Sequence, residues 1–120
     1  AVAERHPRLT ILIAHCGQSW AFAWEAAALM KRLPNVYAEL TYTAVTNGVI
    51  EYLVREIGDK RVLFGTDAPM RDPRPQLGWV VFSRISFAAK RKILGENFLQ
   101  VLGARAAGQE KTKRPKGAKK

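Results

Sequence analysis

Val62-Leu63-Phe64-Gly65-Thr66-Asp67-Ala68-Pro69 decides how the chain is read. Three apolar residues, then a glycine, an acid and a proline that stops further extension, describe a short buried strand ending in a carboxylate. An acid at the carboxyl end of a buried parallel strand is a usual place for a metal ligand or a catalytic base. Two similar stretches precede it. Leu9-Thr10-Ile11-Leu12-Ile13-Ala14-His15 is almost continuously apolar and β-branched, which predicts a strand buried on both faces, as in parallel sheets. Residues 36–41 predict another, entered through a turn at Pro34-Asn35. The three strands end at His15, Thr41 and Asp67, at even intervals of 26 residues.

Helical patterns fill the gaps. Ser19 predicts the cap of a helix running to about residue 32, with Trp20, Ala23, Trp24, Ala27 and Met30 as its apolar stripe and Lys31 and Arg32 at its negative end. Thr43 or Thr46 is expected to start a second helix, with Ile50, Leu53, Val54 and Ile57 buried and Gly58 as its left-handed terminator. Residues 1–5 read as a helix end closed by His6-Pro7. Beyond Asp67, residues 68–77 hold three prolines and predict a loop. A short helix over 78–84 follows, then Ser86 capping 87–94, a continuation over 96–102, and Gly103 closing the fold. This β-α-β-α-β-α order suits right-handed parallel units. It leaves two architectures, a doubly wound open sheet or part of a (β/α)8 barrel. No glycine-rich phosphate loop follows any strand, which argues against a nucleotide-binding sheet. A complete barrel needs about 250 residues, and this chain has 120.

Composition narrows the classes further. No run of 18 apolar residues is present, so no transmembrane helix is expected, and no signal peptide is visible. The first residue is Ala1 rather than Met, which predicts a natural start upstream. Cys16 is the single cysteine; it excludes an internal disulfide and suits a reducing, cytoplasmic setting. The net charge of +10 is uneven: residues 104–120 hold Arg105, Lys111, Lys113, Arg114, Lys116, Lys119 and Lys120 against Glu110. That stretch predicts a disordered basic tail after a folded part at 1–103. With no aromatic residue among its charges to stack on bases, the tail reads as a solvated extension in preference to a nucleic-acid arm.

His15 and Asp67 are the candidate chemistry. Each alone has a blander reading, the histidine as a satisfied structural residue and the aspartate as a loop acceptor. Both, however, lie at carboxyl ends of parallel strands. Two strand spacings put their backbones roughly 10 Å apart on one rim, where inward side chains could meet at a metal or substrate. His6 is excluded because it sits at the opposite end of its strand. Glu39 and Thr41 could line the pocket or point outward. Arg71, Asp72 and Arg74 lie in the loop after Asp67, where an arginine could bind a substrate carboxylate in bidentate fashion. Trp20 and Trp24 read as helix-to-sheet packing in preference to a substrate platform.

Several motifs in order are shared with a known family. His6-Pro7-x-Leu9, Ala14-His15-Cys16-Gly17, Pro34-Asn35-Val36-Tyr37, Leu63-Phe64-Gly65-Thr66-Asp67-Ala68-Pro69 and Lys92-Ile93-Leu94-Gly95-Glu96-Asn97 resemble the amidohydrolase superfamily, in its branch of metal-dependent hydrolases and decarboxylases. The resemblance covers about residues 1–103. It implies a (β/α)8 TIM-type barrel of which this chain supplies the last three units, strands six to eight, followed by C-terminal helices. It implies further that His15 is the strand-six histidine, which polarises substrate, transfers a proton or, in dinuclear relatives, binds metal. Asp67 becomes the strand-eight aspartate, a metal ligand that also takes a proton from the attacking water. Asn97 is expected to be structural, as a cap between two short helices.

The departures from that pattern matter as much. The family's His-x-His pair and its strand-five histidine are absent, because their strands are absent. Asp67 and His15 alone make a poor Zn²⁺ site, since catalytic zinc takes three protein ligands and a water. Cys16 is expected to point to the other face and to be a doubtful substitute. The leading expectation is therefore the C-terminal part of a metal-dependent enzyme, a hydrolase of C–N or C–O bonds or a lyase releasing CO₂. It would act on a small molecule with a divalent metal such as Zn²⁺, and its site is incomplete in this chain, so no meaningful turnover is expected of the 120 residues alone. The alternative is a non-catalytic α/β interaction module whose exposed strand edges invite homo-oligomerisation.

Overall fold

The structure, a computed structural model, describes residues 2–42 and 44–110, with side-chain surroundings for those up to 103. Three parallel strands lie at its centre in chain order: β1 (Ile11–Ile13), β2 (Val36–Glu39) and β3 (Val62–Leu63). Ile11 pairs with Val36, Ile13 with Ala38, and Ala38 with Val62, so these side chains share one face. Onto that face α2 (Trp20–Arg32) lays Ala23, Ala27 and Met30, and α3 (Val49–Ile57) lays Ile50 and Leu53, in one buried cluster. Both crossover helices thus cover the same side of the sheet. A doubly wound sheet has helices on both faces and reverses its strand order. The three strands in sequential order, with both crossover helices on one side, match a sector of a (β/α)8 barrel or one half of a doubly wound sheet.

The strands are shorter than their apolar runs. β1 is expected over residues 9–15 and buried on both faces, yet it spans three residues, and Leu9 and Leu12 are exposed. It is an edge strand, packed by helices on one side only. The stripe of α2 also differs from the expected one: Ala23, Ala26, Ala27 and Met30 are buried, while Trp24 is 56% and Trp20 37% exposed. Alanines let the helix sit close to a branched sheet, and the indoles are displaced to its margin. There Trp20 packs against Trp24, with ring centroids 5.9 Å apart, and against the Tyr52 ring of α3 at 5.6 Å. Ser19 caps α2 as expected, its Oγ accepting from the Phe22 N–H at 3.2 Å. Neither threonine is the residue that caps α3. Gly48 precedes it at φ 79, and Thr43 lies outside the described residues. Gly58 closes α3 at φ 81 and ψ 154, a conformation open to glycine but outside the left-handed helical region expected.

Past β3 the prolines are less disruptive than they read. α4 (Arg74–Phe82) begins inside the expected loop, because Pro75 falls in its first turn, where no N–H is needed. α5 (Phe87–Arg91) is capped by Ser86. A π-helical turn over Lys92–Glu96 then leads into α6 (Asn97–Glu110), which runs through Gly103 instead of ending there. Residues 111–120 of the basic tail lie outside the described residues. In the π turn the Asn97 N–H bonds the Lys92 carbonyl, five residues back, and the Ile93 carbonyl accepts from the Phe64 N–H at 3.0 Å. Asn97 is structural, as expected, but acts as a staple under β3: its Nδ2 donates to the Asp59 and Val62 carbonyls at 2.7 and 2.8 Å. Asn35 ties α1 (Val2–Arg5) and the approach to β1 to the start of β2, donating to the Ala3, His6 and Leu9 carbonyls. No described helix is long and apolar enough to cross a membrane.

Candidate functional site

Both predicted site residues lie beyond the carboxyl ends of parallel strands, His15 after β1 and Asp67 after β3. They also share a backbone peculiarity. Among the described residues, His15 (φ 63) and Asp67 (φ 60) are the non-glycine residues with positive φ. Aspartate and histidine tolerate this region better than most side chains, but it still costs of order 1 kcal/mol or more and is concentrated at functional sites. The surroundings hold both in place. The Cys16 N–H donates to the Glu39 carbonyl at 2.9 Å, and the Gln18 N–H closes a turn onto the His15 carbonyl at 3.0 Å. At Asp67, the Arg71 N–H returns to the carbonyl at 3.1 Å, and the Ala68 N–H donates to Thr66 Oγ1 at 3.2 Å.

The His15 ring is oriented by β2. Its Nδ1 lies 2.5 Å from the Thr41 carbonyl, and its ring stands 5.3 Å from that of Tyr42, centroid to centroid. A carbonyl only accepts, so Nδ1 carries a proton, and in the neutral ring Nε2 keeps the lone pair. A ring N–H bonded to a backbone carbonyl is usual for histidines that bind metal or move protons. Asp67 is exposed, with the Arg71 Nε 3.8 Å from its Oδ2. Arg74, a candidate for substrate binding, is instead committed to Asp72 through Nε, Nη2 and its backbone N–H. Those bonds hold the Asp72 carboxyl down at about 2.

Cys16 is no substitute ligand. It is fully buried in the core, and its Sγ–H donates to the Ile13 carbonyl at 3.1 Å. Burial pushes the thiol up to about 12, so the thiolate that a metal requires does not form near neutrality. Among the described residues, no three His, Cys, Asp or Glu side chains come together to hold a metal ion.

Two features at this rim escape a reading of the sequence. Glu39, on the sheet face opposite the helices, turns its Oε1 back to accept from the Thr41 N–H at 2.9 Å and from Thr41 Oγ1. It lies over Gly65, where any Cβ would overlap Glu39 Oε1 and Thr41 Oγ1. Trp79 of α4 covers Gly17, where a Cβ would meet its Cη2 and Cζ3. The signal was present as Glu39-x-Thr41, two polar residues on one face at the end of a buried strand, but nothing in it names the glycine beside them.

The family sequence profile described as Amidohydrolase matches residues 1–104. No curated protein sequence matches the chain at a significant level. Among solved structures, the fold resembles a dihydroxybenzoic acid decarboxylase from a Polaromonas species, with bound manganese and the inhibitor 2-nitroresorcinol (20% identity, TM-score 0.66, 85% of this chain, 36% of that one). A 2,6-dihydroxybenzoate decarboxylase from Rhizobium is similar at 23% identity and TM-score 0.64 over 85% of this chain and 37% of that one. A zinc-bound amidohydrolase from Burkholderia multivorans matches at 16% identity and TM-score 0.63 over 82% of this chain and 45% of that one. The chain therefore spans less than half the length of each. Identities this low carry the fold alone, while the profile runs over nearly the whole chain, from the first strand through the motif that begins α6: the chain belongs to the amidohydrolase family.

Proposed function

We propose that this chain is the part of a metal-dependent hydrolase or decarboxylase that holds strands six to eight of a (β/α)8 barrel, with His15 and Asp67 in its active site. The observation that carries the reading is the pairing of these two residues. Among the described residues they are the non-glycine residues with positive φ, and each stands past a parallel strand on one rim. Solved relatives that hold manganese or zinc support a divalent cation as the cofactor, and zinc is our choice. An imidazole nitrogen and a carboxylate are donors such an ion accepts, and they fit it as part of a set whose other members lie outside this chain. When bound, the ion activates water at neutral pH or polarises a substrate oxygen.

The chain's own residues then have distinct tasks. Asp67 offers its carboxylate as a ligand and proton acceptor. His15 presents the Nε2 lone pair, which can take up a proton and, once protonated, polarise a substrate carbonyl or carboxylate or pass that proton on. Arg71, beside Asp67, is placed to steady an anionic substrate group. The substrate is a small molecule, and the reaction is either cleavage of a C–N or C–O bond or loss of CO₂. Strand pairing supports completion by further polypeptide: β1 is an edge, and Leu12 on the face away from the helices is exposed.

The test uses the complete polypeptide that carries this chain. Bound zinc and manganese are measured by elemental analysis, with turnover followed as CO₂ release from hydroxybenzoates and as hydrolysis of amides and esters. Asp67→Asn should lose both metal and turnover, whereas His15→Asn should lose turnover with most of the metal retained. Stoichiometric metal and unchanged turnover in Asp67→Asn would end the proposal.

A further inference from the structure

Glu39 has no role in the reading above, yet it grips the His15 loop twice. Its backbone carbonyl takes the Cys16 N–H at 2.9 Å, immediately after the left-handed His15. Its side chain, through Oε1, takes both the N–H and the hydroxyl of Thr41. Thr41 in turn offers its carbonyl to His15 Nδ1. Residue 41 lies past the last residue of β2, so the sheet ladder no longer fixes its peptide. The carboxylate does this instead, and its space exists because Gly65, two residues past β3, has no side chain.

We propose that Glu39 is a positioning residue: by fixing Thr41 it keeps His15 in the Nδ1–H tautomer, with the Nε2 lone pair free at the rim. A carboxylate bonded to a peptide N–H is a charge-assisted contact, stronger than a neutral one. Without it, the Thr41 peptide can rotate, the Nδ1 partner is lost, and the imidazole is free to place its proton on either nitrogen. The functional meaning rests on the reading of His15 as a site residue. The geometry does not.

The 120-residue chain contains two histidines, His6 and His15. Labelling with ¹⁵N-histidine therefore gives two ring systems, and His6→Gln assigns them. Long-range ¹H–¹⁵N correlation above the histidine titration reads the tautomer directly. In the unaltered chain, His15 should be almost wholly Nδ1–H. Glu39→Ala should cause a roughly threefold or greater rise in the Nε2–H share. Glu39→Gln should restore the original tautomer, since its amide oxygen still accepts from the Thr41 N–H. Gly65→Ala displaces the same carboxylate from the other side, leaves Glu39 in place, and should reproduce the mixed state. The proposal fails if His15 is mainly Nε2–H in the unaltered chain, or if both Glu39→Ala and Gly65→Ala leave it Nδ1–H. Metal content of Asp67→Asn bears on the proposed function alone, so either reading can fall without the other.

Discussion

At the residue scale, the left-handed backbones of His15 and Asp67 separate stability from activity. Asparagine tolerates that region as well as either residue does. His15→Asn and Asp67→Asn should therefore change folding stability by less than about 1 kcal/mol, as thermal melts of the chain would show, while removing the donors the proposed site needs. β-Branched valine at either position should lower stability by about 1–3 kcal/mol. Cys16 allows a prediction with a sign. Its thiol is raised from an ordinary 9.0 to about 12 by burial, so between those values the unfolded chain gives up a proton that the folded chain keeps. The stabilisation is complete below about pH 9 and is lost as pH rises toward 12, by up to about 1.4 kcal/mol per pH unit. Denaturant titrations at pH 8 and 10.5 should show the loss, and Cys16→Ala should abolish its pH dependence. An outcome in which native Cys16 reacts with iodoacetamide at pH 8 as fast as the unfolded chain would contradict its burial.

At the element scale, the joints between segments depend on a few side chains bonding to carbonyls. Asn97 holds the turn before β3 and the strand itself. Asn97→Ala should cost about 1–3 kcal/mol by leaving buried carbonyls unmet. Arg61 joins the ends of two helices, its Nη1 donating to the Met30 and Leu33 carbonyls and its Nε to that of Ile57. Gly17 sets the position of α4. A methyl there would overlap the Trp79 ring, so Gly17→Ala should cost about 1–3 kcal/mol as overpacking and shift Trp79 fluorescence as the helix moves away. The helices were legible in outline because their caps and periodicity are local signals, and Ser19 and Ser86 both cap as expected. Local periodicity could not tell which apolar residues of α2 meet the sheet. Tryptophan and alanine both qualify, and only the closeness of the sheet selects alanine.

For the whole molecule, the three parallel strands and the open β1 edge fit the proposed barrel sector. The isolated chain titrated with Zn²⁺ by calorimetry should show no tight stoichiometric site, since His15 and Asp67 fall short of the three protein ligands that zinc catalysis takes. Tight binding by the isolated chain would mean that a donor set exists which the described residues do not assemble.

The sequence by itself determined the parallel β-α order and the rim on which His15 and Asp67 fall. Both follow from local pattern and strand polarity. Tertiary structure alone decided that both helices cover one face of the sheet, that the tryptophans of α2 stand outside the core, and that Cys16 is sealed away from any metal. It alone decided that Glu39 lies over Gly65 and bonds Thr41, whose carbonyl meets His15 Nδ1. Those outcomes depend on which surfaces approach closely enough to exclude side chains, and a one-dimensional pattern carries no distances between strands. The stretch ending in Asp67 was readable as a buried strand with a carboxylate beyond its end; the partners that shape its rim became readable only once the neighbouring strands were in place.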